Sequence, residues 1–196
     1  MRVRDATEAD RDAIYDVCLR TGDAGHDATG LLVHGELYGL AYAGQYLTLS
    51  PGLALVADGD TGVVGYIVGA LDTASFDEQC EAEWWPALRA RYPATGSGTD
   101  IDRRLVAEIH TPFHMPASVL ARYPSHLHIN LLPAAQGAGV GRALMTELFT
   151  RLSAAGSPGV HLGVDPRNER AIGFYEHLGL TRHDTGAAVL FTHRLP

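Results

Sequence analysis

Between Leu131 and Ala143 the chain reads Leu-Leu-Pro-Ala-Ala-Gln-Gly-Ala-Gly-Val-Gly-Arg-Ala. An alternating apolar stretch ends, Pro133 bends the chain, and Gly137, Gly139 and Gly141 alternate before a helix-periodic segment begins. Glycine lets the backbone approach a ligand closely, and a helix start offers amide N–H groups without intrahelical partners. The amides of Gly137, Ala138, Gly139, Val140, Gly141 and Arg142 therefore form a candidate anion cradle suited to a pyrophosphate, with Arg142 adding positive charge at its rim. A Walker A loop is excluded, because it needs Gly-Lys-Ser/Thr and the chain has no lysine. The dinucleotide fingerprint GxGxxG would need glycine where Arg142 stands, and it normally opens an N-terminal βαβ unit. A third pattern, Gln/Arg-x-x-Gly-x-Gly/Ala, is satisfied by Gln136, Gly139 and Gly141. A glycine-rich helix entry that holds no ligand is the competing reading.

Other reactive residues are less patterned. His126 and His128 share one face of an alternating stretch, but no third patterned ligand accompanies them, and no metal site is expected. His110 and His114 are four apart with Pro112 between them, which disfavours a helical pair; both read as loop residues. Cys18 and Cys80 form neither a CxxC pair nor a disulfide framework and read as buried thiols in a reducing cytosol. All fifteen basic residues are arginine, so Schiff-base and lysine-base chemistry is excluded. Net charge is −8, made of −10 over residues 1–100 and +2 over residues 101–196. That split disfavours nucleic acid and permits an anionic ligand on the C-terminal half. No stretch approaches about 20 apolar residues and no secretion signal opens the chain, so no membrane partner and a cytoplasmic location are expected.

The elements that must position these groups follow from periodicity. The sequence predicts a strand at Arg2–Arg4, a helix over 8–20, a helix over 35–47, and a hairpin of strands Leu53–Ala57 and Val63–Ala70. A helix over 75–92 carries Trp84 and Trp85, read as core rather than ligand-stacking residues. Residues 93–124 read as an insertion within one domain spanning 1–196, with 100–110 helical. A strand at His126–Leu132, a helix at Gly137–Ala155, a strand at Val160–Val164, a helix at Asn168–Leu178 and a closing hairpin over 180–195 complete the chain. The length, 196 residues, suits a single domain.

The third loop pattern resembles the acyl-CoA pyrophosphate loop of the GNAT acyltransferase superfamily. Some 27 residues on, Asn168-Glu169-Arg170-Ala171-Ile172-Gly173-Phe174-Tyr175-Glu176-His177-Leu178-Gly179-Leu180 resembles that superfamily's Asn-x-x-Ala-x-x-Phe-Tyr-x-x-x-Gly-Phe motif, with Leu180 in place of the final Phe. More narrowly, residues 12–22 and His128-Ile129-Asn130-Leu131-Leu132-Pro133 resemble the acetyltransferase-like domain that accompanies the O-GlcNAc hydrolase of animals and its free-standing bacterial relatives. The resemblance implies an α/β (α+β) fold: a mixed, mostly antiparallel sheet of six or seven strands flanked by helices, splayed between 126–132 and 160–164. It implies acetyl-CoA as cofactor, its arm paired with backbone groups of Leu131 and Leu132 and contacted by Asn168, Ala171 and Phe174. It also implies direct attack of a small-molecule or peptide amine on the thioester, with Tyr175 protonating the departing thiolate. His128 is the expected general base, beside His126, because imidazole titrates near neutrality; the competing reading is that both histidines cap or pack on the sheet. Asp23, Asp27 and Glu36 are expected to face the acceptor groove and attract a cationic amine. The alternative is a non-catalytic acetyl-CoA-binding or interaction module; a homodimer is left open.

Overall fold

The computed structural model describes residues 1–186 and 188–196; Ala187, in the predicted closing hairpin, lies outside the described residues. The strands are β1 (Arg2–Asp5), β2 (Ala54–Gly59), β3 (Gly62–Ala70), β4 (Ser125–Leu131), β5 (Gly159–Val164), β6 (Thr181–Asp184) and β7 (Val189–Arg194). They form one sheet in the order β1-β2-β3-β4-β5-β7-β6. Every pairing is antiparallel except β4 with β5. That parallel pair is short: only Ser125 with Val160 and His126 with His161 are in register. Beyond them the two strands part, and the predicted splay is present.

The period-2 pattern of β4 sorts its side chains onto two faces. Leu127, Ile129 and Leu131 join a core with Leu144, Met145, Leu148 and Leu152 of α8 (Val140–Ala154), and with Ile172 and Tyr175 of α9 (Glu169–His177). His126, His128 and Asn130 face the other layer. That layer holds α1 (Arg11–Leu19), α2 (Glu36–Tyr42), α3 (Gly44–Leu49), α4 (Thr73–Gln79), α5 (Trp85–Arg91) and α6 (Asp100–His110). Its core includes Ile14, Val17, Leu37, Tyr46, Trp85, Leu105 and Ile109. Trp84 donates its indole N–H to the Leu40 carbonyl at 3.0 Å, so both tryptophans are structural. Cys18 and Cys80 are buried free thiols, and burial pushes each pKa up to about 12.

Residues 93–124 contribute α6, an irregular crossing and a short helix, α7 (Ala117–Leu120). Asp102, capping α6 together with Thr99, also accepts the Val33 and His34 amides at 3.0 Å each, tying this segment to the loop before α2.

Several boundaries differ from expectation. The predicted helix over 35–47 is two helices, broken at Ala43. The break lets Gly44 fit against Tyr15 and Trp84, where a side chain would collide. The predicted helix over 75–92 is interrupted by a π-helical turn at Cys80–Trp84, just before Pro86, whose missing N–H cannot continue the ladder. The helix expected from Gly137 starts only at Val140, because Gly137 and Gly139 sit at φ +79° and +78°, the left-handed region. His110 is the last residue of α6 rather than a loop residue.

Candidate functional site

A groove of about 880 Å³ opens beside the C-terminal end of β4, where Ile129, Asn130 and Leu131 line it. Gly137, Gly139, Gly141 and Arg142 line it, as do Gln136, Leu131 and Leu132. Across it stand Asn168, Ala171, Phe174 and Tyr175 of the second motif, and the wall on the α1 side runs from Arg20 to Asp27. Ala138 and Val140 are not among the lining side chains; Val140 is buried in the α8 core, so any contribution of these two is by their amides.

The glycine loop turns main-chain nitrogen outward. After Gln136, the next amide with a backbone partner is that of Ala143, which bonds the Gly139 carbonyl at 3.0 Å. The amides of residues 137–142 thus have no partner among the described residues. They lie at the N-terminus of the 15-residue helix α8, where the dipole favours an anion. Gly141 lets α8 pack close: a Cβ there would lie 3.0 Å from Leu131 and 3.1 Å from Phe174. Gln136 donates Nε2 to the Leu131 carbonyl at 2.8 Å, leaving its buried Oε1 without a donor.

One expectation about the strand is corrected. Leu132 faces the wrong edge for a ligand in the splay, since its N–H donates to the Val64 carbonyl of β3 at 2.9 Å and its C=O already accepts from Ala135 at 2.9 Å. Along a strand, successive amides point to opposite edges. Leu132 points to β3, so Ile129 and Leu131 are the residues whose main chain faces the splay. The parity of the strand alone carried that signal, and sequence reasoning missed Ile129.

Asn168 stands outside α9 as its N-cap, Oδ1 accepting the Ala171 amide at 3.0 Å. Its Nδ2 has no hydrogen-bond acceptor among the described residues and is the donor it can offer a ligand. Tyr175 is buried, and burial raises its pKa well above the ordinary phenol value, so the hydroxyl stays protonated. Its hydroxyl is not a buried unpartnered atom, consistent with its place on the groove lining.

The histidines depart furthest from expectation. His128 does not line the groove; its ring lies 5.8 Å from that of Tyr42 and 5.7 Å from that of Tyr46. Burial, reinforced by His161, pushes its pKa down to about 4. With its pKa lowered and its ring outside the groove lining, this half-buried imidazole is a poor proton acceptor for a group in the groove. His126 is engaged through both nitrogens. Thr73 donates its only hydroxyl proton to the Pro124 carbonyl at 2.6 Å, so it must accept from His126 Nδ1 at 2.8 Å. The Tyr46 hydroxyl then donates to Nε2 at 2.6 Å. This pair is a structural network that holds α3 and α4 to the sheet.

The three carboxylates expected to attract a cation already have partners. Asp23 pairs with Arg167 at 3.0 Å, Asp27 accepts from the Thr29 amide and hydroxyl, and Glu36 holds Arg91 and the Tyr92 hydroxyl. Groove residues that the sequence reading did not assign to the site include Thr21, His26 and Asn130. No cluster of three metal-ligating side chains occurs among the described residues, and no helix among them is long and apolar enough to cross a membrane.

Comparison with known proteins places this geometry. The model of the acetyltransferase (GNAT) family matches residues 33–180. The chain is similar to protein O-GlcNAcase of Rattus norvegicus, 27% identical over 177 residues that cover 87% of this chain and 19% of that protein. It thus spans about a fifth of the length of the curated O-GlcNAcases it matches. Among solved structures, SsHAT is 36% identical, with a TM-score of 0.92 and coverage of 100% of this chain and 98% of that one. A GNAT superfamily phosphinothricin acetyltransferase from Sinorhizobium meliloti, solved with AcCoA, shares the fold at 17% identity, with a TM-score of 0.54 over 99% of this chain and 88% of that one.

Proposed function

The chain belongs to the acetyltransferase (GNAT) family, and on that footing we propose that it moves an acetyl group from acetyl-CoA to an amine by direct attack on the thioester. The observation that carries this reading is the row of unpartnered amides at 137–142, on a loop that lines a groove shared with the end of β4 and with α9. The residues present fit the cofactor. A diphosphate would meet these amides and the Arg142 guanidinium; an amide-bearing arm would meet the main chain of Ile129 and Leu131, with Asn168 Nδ2 as a further donor. The unpartnered Gln136 Oε1 beside the loop is an acceptor awaiting a donor.

When bound, acetyl-CoA supplies an acetyl group activated as a thioester. The strand amides facing the splay act as donors toward a carbonyl oxygen that gains charge during attack. Holding donor and acceptor in line contributes up to about 7–11 kcal/mol in favourable cases. Tyr175, kept protonated by burial, donates its hydroxyl hydrogen to a departing thiolate.

A second reading, a module that binds acetyl-CoA without turnover, draws support from the absence of His128 from the groove lining and from its lowered pKa. Two measurements together separate the readings. Calorimetry with CoA and acetyl-CoA should give heat, and a thiol-release assay across amines, peptides and amino sugars should show turnover with at least one acceptor. Heat without release on any acceptor favours the module; no heat with either ligand overturns both readings.

A further inference from the structure

Asn130 is the one β4 side chain on the α1 face that lines the groove, and its amide orientation is determined by its neighbour. Thr21 is buried at the end of α1 and donates its hydroxyl proton to the Val17 carbonyl at 2.7 Å. A hydroxyl has one proton, so toward Asn130 the Thr21 oxygen can only accept. The group facing it at 2.5 Å is therefore the Asn130 NH₂. The carboxamide cannot flip without placing two acceptors against each other, and Oδ1 is turned away from Thr21. That oxygen takes no hydrogen bond from the described residues and is not a buried unpartnered atom.

The surroundings define which face of the site this is. The turn Asp23–His26 crosses from the end of α1 to the start of α9, held by the Asp23–Arg167 pair at 3.0 Å and by Gly25 packed against the Asn168 amide. Ala24 in this turn has φ +49°, a left-handed conformation that costs a non-glycine residue about 1–2 kcal/mol. Asn130 and this turn lie on the α1 side of β4, while Leu131 and the glycine loop pack with α8 on the other.

Resting on the acetyl-transfer reading, we propose that Asn130 is the acceptor-binding residue, its Oδ1 receiving an N–H of an uncharged amine, with Thr21 as the residue that positions it. A carboxamide oxygen accepts that hydrogen bond without the full negative charge by which a carboxylate holds an amine in its ammonium form. The site therefore raises the amine's pKa less than a carboxylate would, so more of the nucleophile is neutral and the demand for a general base in the groove is lighter.

Hydroxylamine is the probe, because it is small and largely neutral at pH 7. Its nitrogen forms a bond to the acetyl carbon while the C–S bond breaks; the nitrogen proton goes to solvent and the thiolate is protonated, giving acetohydroxamate and CoA. The wild-type protein should accelerate CoA release over a protein-free control, with saturation in hydroxylamine. Asn130→Leu and Thr21→Val should each raise the half-saturating hydroxylamine concentration about tenfold, the loss of one hydrogen bond, with kcat within about threefold. Heat with acetyl-CoA should be unchanged in both.

A readout without turnover uses the side-chain amide signals in NMR, simplified because the chain has only two asparagines, Asn130 and Asn168. With CoA in place of acetyl-CoA, hydroxylamine should shift the Asn130 signals and leave those of Asn168 unmoved; Thr21→Val should speed Asn130 amide exchange even without ligand. Variants with wild-type kinetics, an absence of acceleration while acetyl-CoA heat persists, or Asn130 signals unmoved by hydroxylamine would each overturn the assignment of Asn130 alone. An absence of heat in the wild-type protein overturns the acetyl-transfer reading and this proposal together.

Discussion

The two sides of β4 treat polar groups in opposite ways. On the α8 side the glycine loop leaves six consecutive amides, 137–142, without partners, and it builds the cradle from two left-handed glycines. On the α1 side many polar groups are already engaged, although Gln45 Oε1 and the Tyr66 hydroxyl are buried without partners. His126 is held by Tyr46 and Thr73, Tyr42 donates to Glu108, and Asp23 and Glu36 are in ion pairs. Buried polar groups are normally hydrogen-bonded, so unused hydrogen-bonding capacity marks a site better than residue type does. By that measure the glycine loop and Asn130 stand out along the groove, whereas His126, bonded through both nitrogens, belongs to the core.

The sharpest way to break the contrast is to fill the cradle. A Cβ at Gly139 would meet nothing within 4 Å, so Gly139→Trp should project into the groove and weaken acetyl-CoA by at least about a hundredfold in calorimetry. Its φ of +78° adds a strain of about 1–2 kcal/mol. The variant should melt a few degrees lower but remain folded; wild-type heat would remove the loop from cofactor binding.

Tyr175→Phe tests whether the second motif reaches chemistry. Turnover should fall about a hundredfold, within the range for a lost acid, while acetyl-CoA heat stays within twofold. Unchanged turnover would leave Tyr175 as a packing residue against Phe191.

The histidine side makes a prediction about pH rather than activity. His128 has its pKa pushed from the ordinary 6.5 to about 4 by burial, and His126 and His161 are lowered too. Facing them are Tyr42, Tyr46, Thr73 and Phe76, with Asp77 near His161. Below pH 6.5 the unfolded chain binds protons that the folded protein refuses, so stability should fall from pH 6.5 to 4 and level off for His128 below that. The loss attributable to His128 is roughly 1–3 kcal/mol. The carboxylate of Asp102, with its pKa lowered to about 2, loses its contribution only between pH 3.8 and 2, outside this window. Thermal melts at fixed ionic strength should show a shallower slope in His128→Asn; an identical slope would mean His128 is not enclosed.

The smallest effect belongs to the cap. Asn168→Ala should cost about 1 kcal/mol of stability by freeing the Ala171 amide, and it should weaken acetyl-CoA only by the loss of Nδ2. A melting temperature equal to wild type would show that Asn168 does not cap α9.

Much of this was legible without coordinates. The alternation of Leu127, Ile129 and Leu131 against His126, His128 and Asn130 is a local property of an extended chain, and it located the central strand. The glycine spacing located the loop, because only glycine is unstrained at φ near +80°. The one-residue displacement at Leu132 was an error of parity: apolar type does not reveal which edge an amide faces. The absence of His128 from the groove lining has another origin, since which helices cover a strand depends on contacts between distant residues. Tyr42 and Tyr46 lie more than 80 residues earlier in the chain than His128.

The sequence by itself determined the strand, the glycine loop, the helix entry and the Asn168–Tyr175 motif, because each follows from backbone geometry over a few neighbouring residues. Only the tertiary structure decided which polar groups stay free, because a hydrogen bond such as Thr21 to Asn130 or Asp23 to Arg167 joins residues more than 100 positions apart. Reactivity depends on what is left unpaired, and pairing is settled when the layers close.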